Sequence, residues 1–191
     1  MSTTKNILLV GVGGQGTITA SKILSNGLVA HGYDVKMAEI HGMSQRGGSV
    51  VSQVRYGEEV HSPVIDKGDA DIIVAFEMME ALRWLGHLKP TGKMVINNYQ
   101  LPSVRINSGI DSYPQNILER IREKANTTVI DASDIAKSLG NRRTMNVVLL
   151  GALIKSMALE DLNWEEIIRE NVKEAFVDIN IQALSAGMKE I

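Results

Sequence analysis

The sequence predicts an α/β fold: a single three-layer α/β/α domain with a mostly parallel sheet and a helical C-terminal third. Two continuous apolar runs, "NILLV" and "ADIIVAF", are typical of strands buried on both faces. Stretches with apolar residues at helical spacing follow them, and the turn "GVGGQG" joins the first strand to the first helix in a Rossmann-like manner. A chain of 191 residues is most simply one domain, so we assign residues 1–191 to it.

The chain begins as strand, loop, helix and strand. Residues 7–10 form the first strand, and the apolar spacing predicts a helix from Thr17 to His31 that Gly32 ends. "DVKMAEI" is the second strand, so we expect the start of a parallel sheet with a crossover helix. "VVSQVRYG" carries polar residues on both faces, which indicates a strand near an edge of the sheet.

The middle of the chain continues this alternation. "ADIIVAF" (70–76) predicts a buried strand, and "EMMEALRWLGHL" predicts a helix that Pro90 and Gly92 stop. "KMVINN" (93–98) predicts the next strand. Residues 99–114 are typical of an irregular connection, with one short strand at "SVRI".

The last part of the chain is mainly helical. "QNILERIREKA" predicts an amphipathic helix, "TTVID" the last strand, and "ASDIAKSLG" a short helix that Gly140 closes. "VVLLGALIKSMA" is apolar almost all round, which predicts a buried helix. Asn163 and Glu166 resemble a capping box before "WEEIIREN". A final helix is marked by Val172, Phe176, Ile179 and Ala183.

Composition excludes several classes of function. The chain contains no cysteine, which excludes disulfides, zinc–thiolate sites, cysteine-ligated iron–sulfur clusters and a cysteine nucleophile within it. Its net charge is −2 with both signs scattered, so we expect neither a nucleic-acid surface nor a membrane-binding patch. The start "MSTTKN" is polar, and no apolar run reaches about 18 residues. We therefore expect a soluble cytoplasmic protein.

The glycine loop predicts an anion site. A loop at the carboxyl end of a strand that opens a helix presents unpaired N–H groups and the positive end of the helix dipole. Gly11, Gly13 and Gly16 have the G-x-G-x-x-G spacing of dinucleotide-binding loops, and Glu39 near the end of the second strand could bind a ribose. A stand-alone NAD(P)-dependent oxidoreductase is therefore one alternative.

Three features count against that alternative. Gln15 places a large polar side chain just before the helix, where its carboxamide could reach a ligand or a partner. No pair of His and Asp stands out as a hydride-transfer site. The second strand runs into another glycine-rich loop, "HGMSQRGGS", which a generic fold of this kind does not require.

Four stretches in order carry a resemblance to a known family: "GVGGQG", "EIHGMSQRGGSVVSQVRYG", "ADIIVAFEMMEALR" and "NRRTMNVVLLGAL". Together they resemble the gamma-type domain of the 2-oxoacid:ferredoxin oxidoreductases over nearly the whole chain. The form "HGMSQRGG" looks most like the small beta subunit of the indolepyruvate:ferredoxin oxidoreductases.

The resemblance implies a division of labour between subunits. Enzymes of this family decarboxylate a 2-oxo acid on thiamine diphosphate, pass electrons through [4Fe–4S] clusters to ferredoxin, and give the acyl group to coenzyme A. This chain has no cysteine, and "KGDAD" is only a fragment of the family's Gly-Asp-Gly thiamine signature. The resemblance therefore implies an accessory subunit of a heteromer in an anaerobic cytoplasm. A large partner subunit would carry the thiamine diphosphate and the clusters.

Two loops match the cofactor-binding motifs of the resembled family. Whether they bind coenzyme A, touch thiamine diphosphate or only dock the partner chain stays open, and a non-catalytic binding module is the second alternative. Arg46 offers a planar donor fork for a phosphate or a carboxylate. We expect no catalytic residue and no metal ligand in this chain. The predicted cofactor-binding residues are Gly11, Gly13, Gly14, Gln15, Gly16, Ser44, Gln45, Arg46, Gly47, Gly48 and Asn146.

Some other polar residues have two interpretations. Asn141, Arg143 and Asn146 precede the buried helix, either as a capping and salt-bridge cluster or as a polar patch that faces the glycine loops. Glu77 and Glu80 open a helix, where carboxylates are favourable for dipole reasons alone. We expect Trp84 and Trp164 to lie in the core or at an interface. We expect the surface to hold His31, His61 and His87.

Overall fold

A computed structural model describes residues 4–42 and 48–191. Within these ranges the chain forms one six-stranded sheet. In chain order the strands are β1 (Lys5–Val12), β2 (Asp34–His41), β3 (Ser49–Gly57), β4 (Ala70–Ala75), β5 (Leu88–Asn97) and β6 (Asn126–Ile130).

Eight α-helices lie in the described part of the chain, and four of them follow the last strand. None of these helices is both long and apolar enough to cross a bilayer. The helices are α1 (Thr17–Ala30), α2 (Met78–Trp84), α3 (Val104–Asn107), α4 (Ile117–Arg122), α5 (Ala132–Ser138), α6 (Met145–Ser156), α7 (Trp164–Asn171) and α8 (Val177–Met188).

The sheet is mostly parallel, as predicted, but its first half differs from the expected order. The strands lie in the order β2–β3–β1–β4–β5–β6. β1, β4, β5 and β6 are parallel neighbours, whereas β3 pairs antiparallel with both β1 and β2. β2 therefore does not lie beside β1, because β2 and β3 form an antiparallel hairpin that inserts β3 between them.

One edge of the sheet is β2, and β3 lies one strand further in. Of the polar residues of β3 that suggested an edge position, Ser52 and Gln53 are buried and Arg55 is half-buried. The side-chain carbonyl of Gln53 accepts a hydrogen bond from the backbone N–H of Ile65 at 2.7 Å. The buried Gln53 side chain thus holds the loop around Ile65 against the sheet.

Alternate residues of the central strands face two separate apolar layers. Ile7 and Leu9 of β1 pack into a cluster with α1, α6 and α8, while Leu8 and Val10 pack into a second cluster with α2 and α4. Since successive side chains of a strand point to opposite faces, helices cover both faces of the sheet. The predicted three-layer arrangement is confirmed.

Two predictions for the segment around β5 are wrong. Residues "SVRI" form the one-turn helix α3 instead of a strand, and the Ser103 side chain accepts a hydrogen bond from the backbone N–H of Ile106 at its start. Pro90 and Gly92 lie inside β5, at a register irregularity between Ala70 and Ile72 of β4. A β-bulge tolerates proline and glycine because the regular ladder is interrupted there.

The capping box is not formed as predicted. The Asn163 side chain makes no hydrogen bond to a backbone N–H of α7 and instead donates to the Glu166 carboxylate at 2.7 Å. Trp164 belongs to the core, where its indole N–H donates to the Leu159 carbonyl at 2.7 Å.

Trp84 and His87 form a half-buried pair of rings with centroids 4.6 Å apart. His87 is therefore not a fully exposed surface residue, and burial lowers the pKa of its imidazole.

The predicted buried helix α6 packs against α8 at backbone contact distance. A Cβ atom at Gly187 of α8 would lie 1.8 Å from the Val148 carbonyl oxygen, and one at Gly151 of α6 would lie 2.1 Å from the Leu184 carbonyl oxygen. The two glycines thus allow a closer approach of the two helices than any side chain would permit.

We expect Gly187→Ala to lower the free energy of unfolding by about 3 kcal/mol, because α6 and α8 must separate to admit the methyl group. Urea denaturation of the purified chain measures this change. Gly86→Ala is the matched control, since a Cβ there meets no atom within 4 Å; its effect should stay within about 0.5 kcal/mol. Equal effects of the two substitutions would contradict the close helix contact.

Candidate functional site

A cleft of about 1050 Å³ opens at the carboxyl ends of β1 and β5. Its lining comes from five separate parts of the chain: residues 13–19, 98–101, 133–137, 141–147 and 172–180. In α/β sheets this end of the strands is where ligands collect, because loops and helix N-termini converge there. The cleft is also within the size range of pockets that bind cofactors and other small molecules.

The first glycine loop forms one wall of the cleft and needs its glycines for conformation and for space. Gly14 and Gly16 have φ angles of 98° and 84°, a region that favours glycine. At Gly16, the residue before α1, a Cβ would also lie 2.7 Å from the Asn146 side-chain nitrogen. Gly11 is buried in β1, where a Cβ would lie 2.9 Å from both the Gln15 carbonyl oxygen and Phe76 Cβ.

The Gln15 carboxamide does not reach outward to a ligand or a partner, contrary to the expectation. Its oxygen accepts a hydrogen bond from the Val12 N–H at 2.7 Å, and its nitrogen donates to the Phe76 carbonyl at 3.1 Å. Both polar ends of the side chain are therefore used in holding the loop against the end of β4. Gln15 still lines the cleft, so its contact with a cofactor stays a prediction.

The Phe76 carbonyl oxygen is shared by residues from two neighbouring strand ends. Besides Gln15, it accepts a hydrogen bond from the Asn97 side chain of β5 at 3.2 Å. Asn97 also donates to the Ser133 hydroxyl at 3.2 Å, and its own side-chain oxygen is buried without a partner among the described atoms. Of these four residues Gln15 and Ser133 line the cleft, and the buried Phe76 and Asn97 connect them, so we call this group of bonds the floor of the cleft.

The second glycine loop approaches the first at its described end. The Gly13 N–H donates to the Gly48 carbonyl at 2.9 Å, and the Gly42 N–H donates to the Ser49 carbonyl at 2.9 Å. The other predicted residues of this loop, Ser44, Gln45, Arg46 and Gly47, lie outside the described residues. Their part in the site stays a prediction.

Asn146 lies beside the first glycine loop. It occupies the first turn of α6, is nearly buried, and donates from its side chain to the Gly16 carbonyl at 3.4 Å. It therefore does not cap the helix. Asn141 instead accepts a hydrogen bond from the Arg143 N–H at 3.0 Å and starts the short turn before α6.

Another part of the cleft lining is cationic. Lys137, Arg142 and Arg143 line the cleft, and none of them forms an ion pair with a described residue. Asp134 is the one carboxylate among the described lining residues. The salt-bridge interpretation of Arg143 thus finds no support in this part of the chain, whereas the polar-patch interpretation fits its position.

This arrangement can bind an anion. Three side-chain cations stand near the start of α6, and the N-terminus of a helix favours negative charge. Residues 4–42 and 48–191 contain no group of three or more His, Asp or Glu residues that could hold a metal ion.

Glu39 does not occupy the position of a ribose-binding acid. It lies in the edge strand β2 opposite Ser52 of β3, and Ser52 lies opposite Leu9 of β1. Two strand spacings separate it from β1, which is roughly 10 Å. It also does not line the described cleft. The stand-alone dinucleotide enzyme therefore lacks the acid that its fingerprint requires.

Lys137 and Arg142 are candidate residues that sequence patterns did not identify. They lie on segments that are distant in sequence from the glycine loop, so only the fold brings them to it. One signal was present: "NRR" places two guanidinium groups side by side with no acid near them in the sequence.

We expect Gln15→Ala to destabilise the chain by about 1–3 kcal/mol, because two internal hydrogen bonds to backbone groups are lost. The measurement is again the free energy of unfolding. Thr19→Ala is the control, since Thr19 is exposed in the same cleft; its change should stay within about 0.5 kcal/mol. Unchanged stability of Gln15→Ala would show that the carboxamide does not hold the loop in solution.

Comparison with curated proteins gives two informative relatives from one organism, Thermococcus kodakarensis. The indolepyruvate oxidoreductase subunit IorB is 38% identical over 96% of this chain and 94% of its own length. The pyruvate/ketoisovalerate oxidoreductases common subunit gamma is 24% identical over 87% of this chain and 83% of its own length.

A solved structure supports the fold. The 2-oxoglutarate:ferredoxin oxidoreductase of Magnetococcus marinus, described with 2-oxoglutarate, coenzyme A and succinyl-CoA bound, matches 98% of this chain with a TM-score of 0.76 and 22% identity. The match covers 31% of that longer chain. The family model for pyruvate ferredoxin/flavodoxin oxidoreductase matches residues 6–190. Since this match spans nearly the whole sequence, the chain belongs to the pyruvate ferredoxin/flavodoxin oxidoreductase family.

Proposed function

We propose that this chain is the accessory, gamma-type subunit of a 2-oxoacid:ferredoxin oxidoreductase of the indolepyruvate type. The observation that carries the proposal is the 38% identity to an IorB subunit over almost the full length of both chains. Identity to the pyruvate/ketoisovalerate gamma subunit of the same organism is only 24%. The difference favours an aromatic 2-oxo acid as the substrate of the complex.

The proposed complex divides the reaction between its subunits. Oxidative decarboxylation of a 2-oxo acid to an acyl-CoA uses thiamine diphosphate and [4Fe–4S] clusters, with ferredoxin as the electron acceptor. Because cysteine thiolates are the usual cluster ligands and this chain has none, a large partner subunit would hold the clusters and the thiamine diphosphate. The isolated chain would then be inactive.

The role proposed for the cleft is to bind the phosphates of coenzyme A. Glycine loop 13–16, Asn146 and the cations Lys137, Arg142 and Arg143 line one continuous cleft. Phosphate groups suit such a site because guanidinium groups and helix N-termini both favour them. The predicted Arg46 of the second loop would add a further donor. Thiamine diphosphate from the partner and a protein segment of the partner are the other candidate occupants.

Co-purification tests the subunit assignment. We expect the tagged chain, recovered from its native anaerobic extract, to bring down a large, brown, thiamine-containing protein that oxidises indolepyruvate with ferredoxin. Mass spectrometry, thiamine assay and iron assay of the eluate measure this. Recovery of the chain alone would favour the nicotinamide alternative, and NADH titration of the isolated chain would then decide, since that enzyme must bind NADH.

Substitution of the cleft cations tests the coenzyme A assignment in the assembled enzyme. We expect Arg143→Ala to raise the KM for coenzyme A about tenfold, because one charge-assisted hydrogen bond is lost. The effect should fall on KM, since the residue would bind a part of coenzyme A remote from the reacting thiol. Arg46→Ala should act in the same way or weaken subunit affinity.

The control for both arginines is Arg120→Ala, an exposed arginine of α4 that does not line the cleft. If Arg46→Ala and Arg143→Ala leave both the KM for coenzyme A and the subunit affinity unchanged, the cleft assignment fails. Full assembly of the complex with an unchanged KM for coenzyme A in Arg46→Ala would favour the binding-module alternative.

A further inference from the structure

Glu77 is a fully buried carboxylate at the end of β4, with 0% of its surface exposed. One of its oxygens accepts hydrogen bonds from the Leu101 N–H at 3.1 Å and from the Tyr113 hydroxyl at 2.5 Å. The other accepts from the Glu80 N–H at 2.9 Å and so caps helix α2. Glu77 thus connects α2 to the segment that follows β5.

Glu80 is also a buried carboxylate, 2% exposed, and its side chain connects α2 to β3. Its oxygens accept hydrogen bonds from the Ser49 hydroxyl at 2.5 Å and pair with the Arg83 guanidinium at 3.2 Å. Burial raises the pKa of Glu80, while the Ser49 hydrogen bond and the Arg83 charge oppose this shift.

The two glutamates form a continuous connection between two walls of the cleft. Ser49 follows Gly48, and the Gly48 carbonyl accepts the hydrogen bond of the Gly13 N–H. On the other side, Glu77 holds Leu101. Gly13 and Leu101 both line the cleft, so the connection joins two separate parts of its lining through residues that do not line it themselves.

Helix capping alone does not explain this arrangement. Ser, Thr, Asp and Asn are the preferred N-cap residues, and each of them can accept the hydrogen bond that caps a helix. Burying two neighbouring carboxylates is unfavourable unless their oxygens are well satisfied. The extra length of Glu77 adds two bonds that a cap does not need, one to Leu101 and one to Tyr113.

We infer that Glu77 and Glu80 are positioning residues. They fix the distance between the first glycine loop and the lining segment that contains Leu101, and this distance sets the affinity of the cleft for its ligand. The identity of that ligand as coenzyme A rests on the proposed function. The connection between the walls does not, because it consists of contacts within this chain.

Glu77→Asp separates capping from positioning. Aspartate still caps the Glu80 N–H, but it is one methylene shorter and cannot also hold Leu101 and Tyr113. In the assembled enzyme we expect the KM for coenzyme A to rise about fivefold to tenfold, since small displacements of binding groups have large effects. Thermal stability of the isolated chain should fall as well, because a fully buried carboxylate loses two of its hydrogen bonds. The KM is therefore measured on variant enzyme that is folded and fully assembled at the assay temperature.

Tyr113→Phe removes only one bond to Glu77 and should raise the KM about twofold to fivefold. Glu160→Gln is the matched control, because it breaks the exposed Lys155–Glu160 pair at the far end of α6. It should leave the KM for coenzyme A unchanged.

Amide hydrogen exchange of the isolated chain tests the connection without coenzyme A. Ser49→Ala removes the bond to Glu80 at one wall, and we expect faster exchange not only near Gly13 but also in a peptide that contains Leu101 at the other wall. Faster exchange confined to the region around Ser49 would show two unconnected local roles and overturn the inference.

The two tests also separate this inference from the proposed function. A complex that uses coenzyme A normally but whose KM is unaffected by Glu77→Asp and Tyr113→Phe would overturn the inference and leave the function intact. Conversely, Ser49→Ala could accelerate exchange at Leu101 in a chain that co-purifies with no thiamine-containing enzyme. That result would support the connection between the two walls and contradict the proposed function.

Discussion

The backbone carbonyl of Phe76 holds the centre of the site together, and the geometry of the cleft depends on it. Gln15 from the loop after β1 and Asn97 from the end of β5 both donate to this one oxygen, and the Phe76 N–H donates back to Val10 at 2.8 Å. The carboxyl ends of β1, β4 and β5 are thereby joined by hydrogen bonds to one residue. Because these groups are buried, breaking any one of the bonds would leave an unpaired polar group, and this cost holds the floor of the cleft in place.

The cations of the cleft lining are not part of this hydrogen-bonded group. Lys137, Arg142 and Arg143 form no ion pair with a described residue, and all three are exposed, which avoids the large penalty of a buried unpaired cation. The proposed anion site would therefore draw its charge from exposed side chains, while buried neutral amides hold the strand ends together.

The sequence alone could predict most of the fold but only part of the site. Continuous apolar runs identify β1 and β4 because both faces of each are covered, helical spacing identifies α1, and an apolar character almost all round identifies α6. The position of β3 in the sheet could not be predicted. Gln53 has the polarity of an edge-strand residue, but it is buried and accepts a hydrogen bond from Ile65, 12 residues further along the chain. The direction of the Gln15 side chain depends on Phe76, which lies 61 residues away in the sequence. Local patterns carry no information on such a partner.

The same spacing of glycines therefore serves a different purpose here than in a dinucleotide site. Gly11 makes room for the Gln15 side chain instead of a pyrophosphate, and the N–H groups of Gly13 and Gln15 donate to protein carbonyls. Among residues 13–16, Gly14 and Gly16 make no backbone hydrogen bond through their N–H groups to the described residues. The first turn of α1, which begins at Thr17, adds unpaired N–H groups of its own, as the start of any helix does. An anion in the proposed site would therefore meet these backbone donors together with the cations of residues 137–143, which come from a different part of the chain.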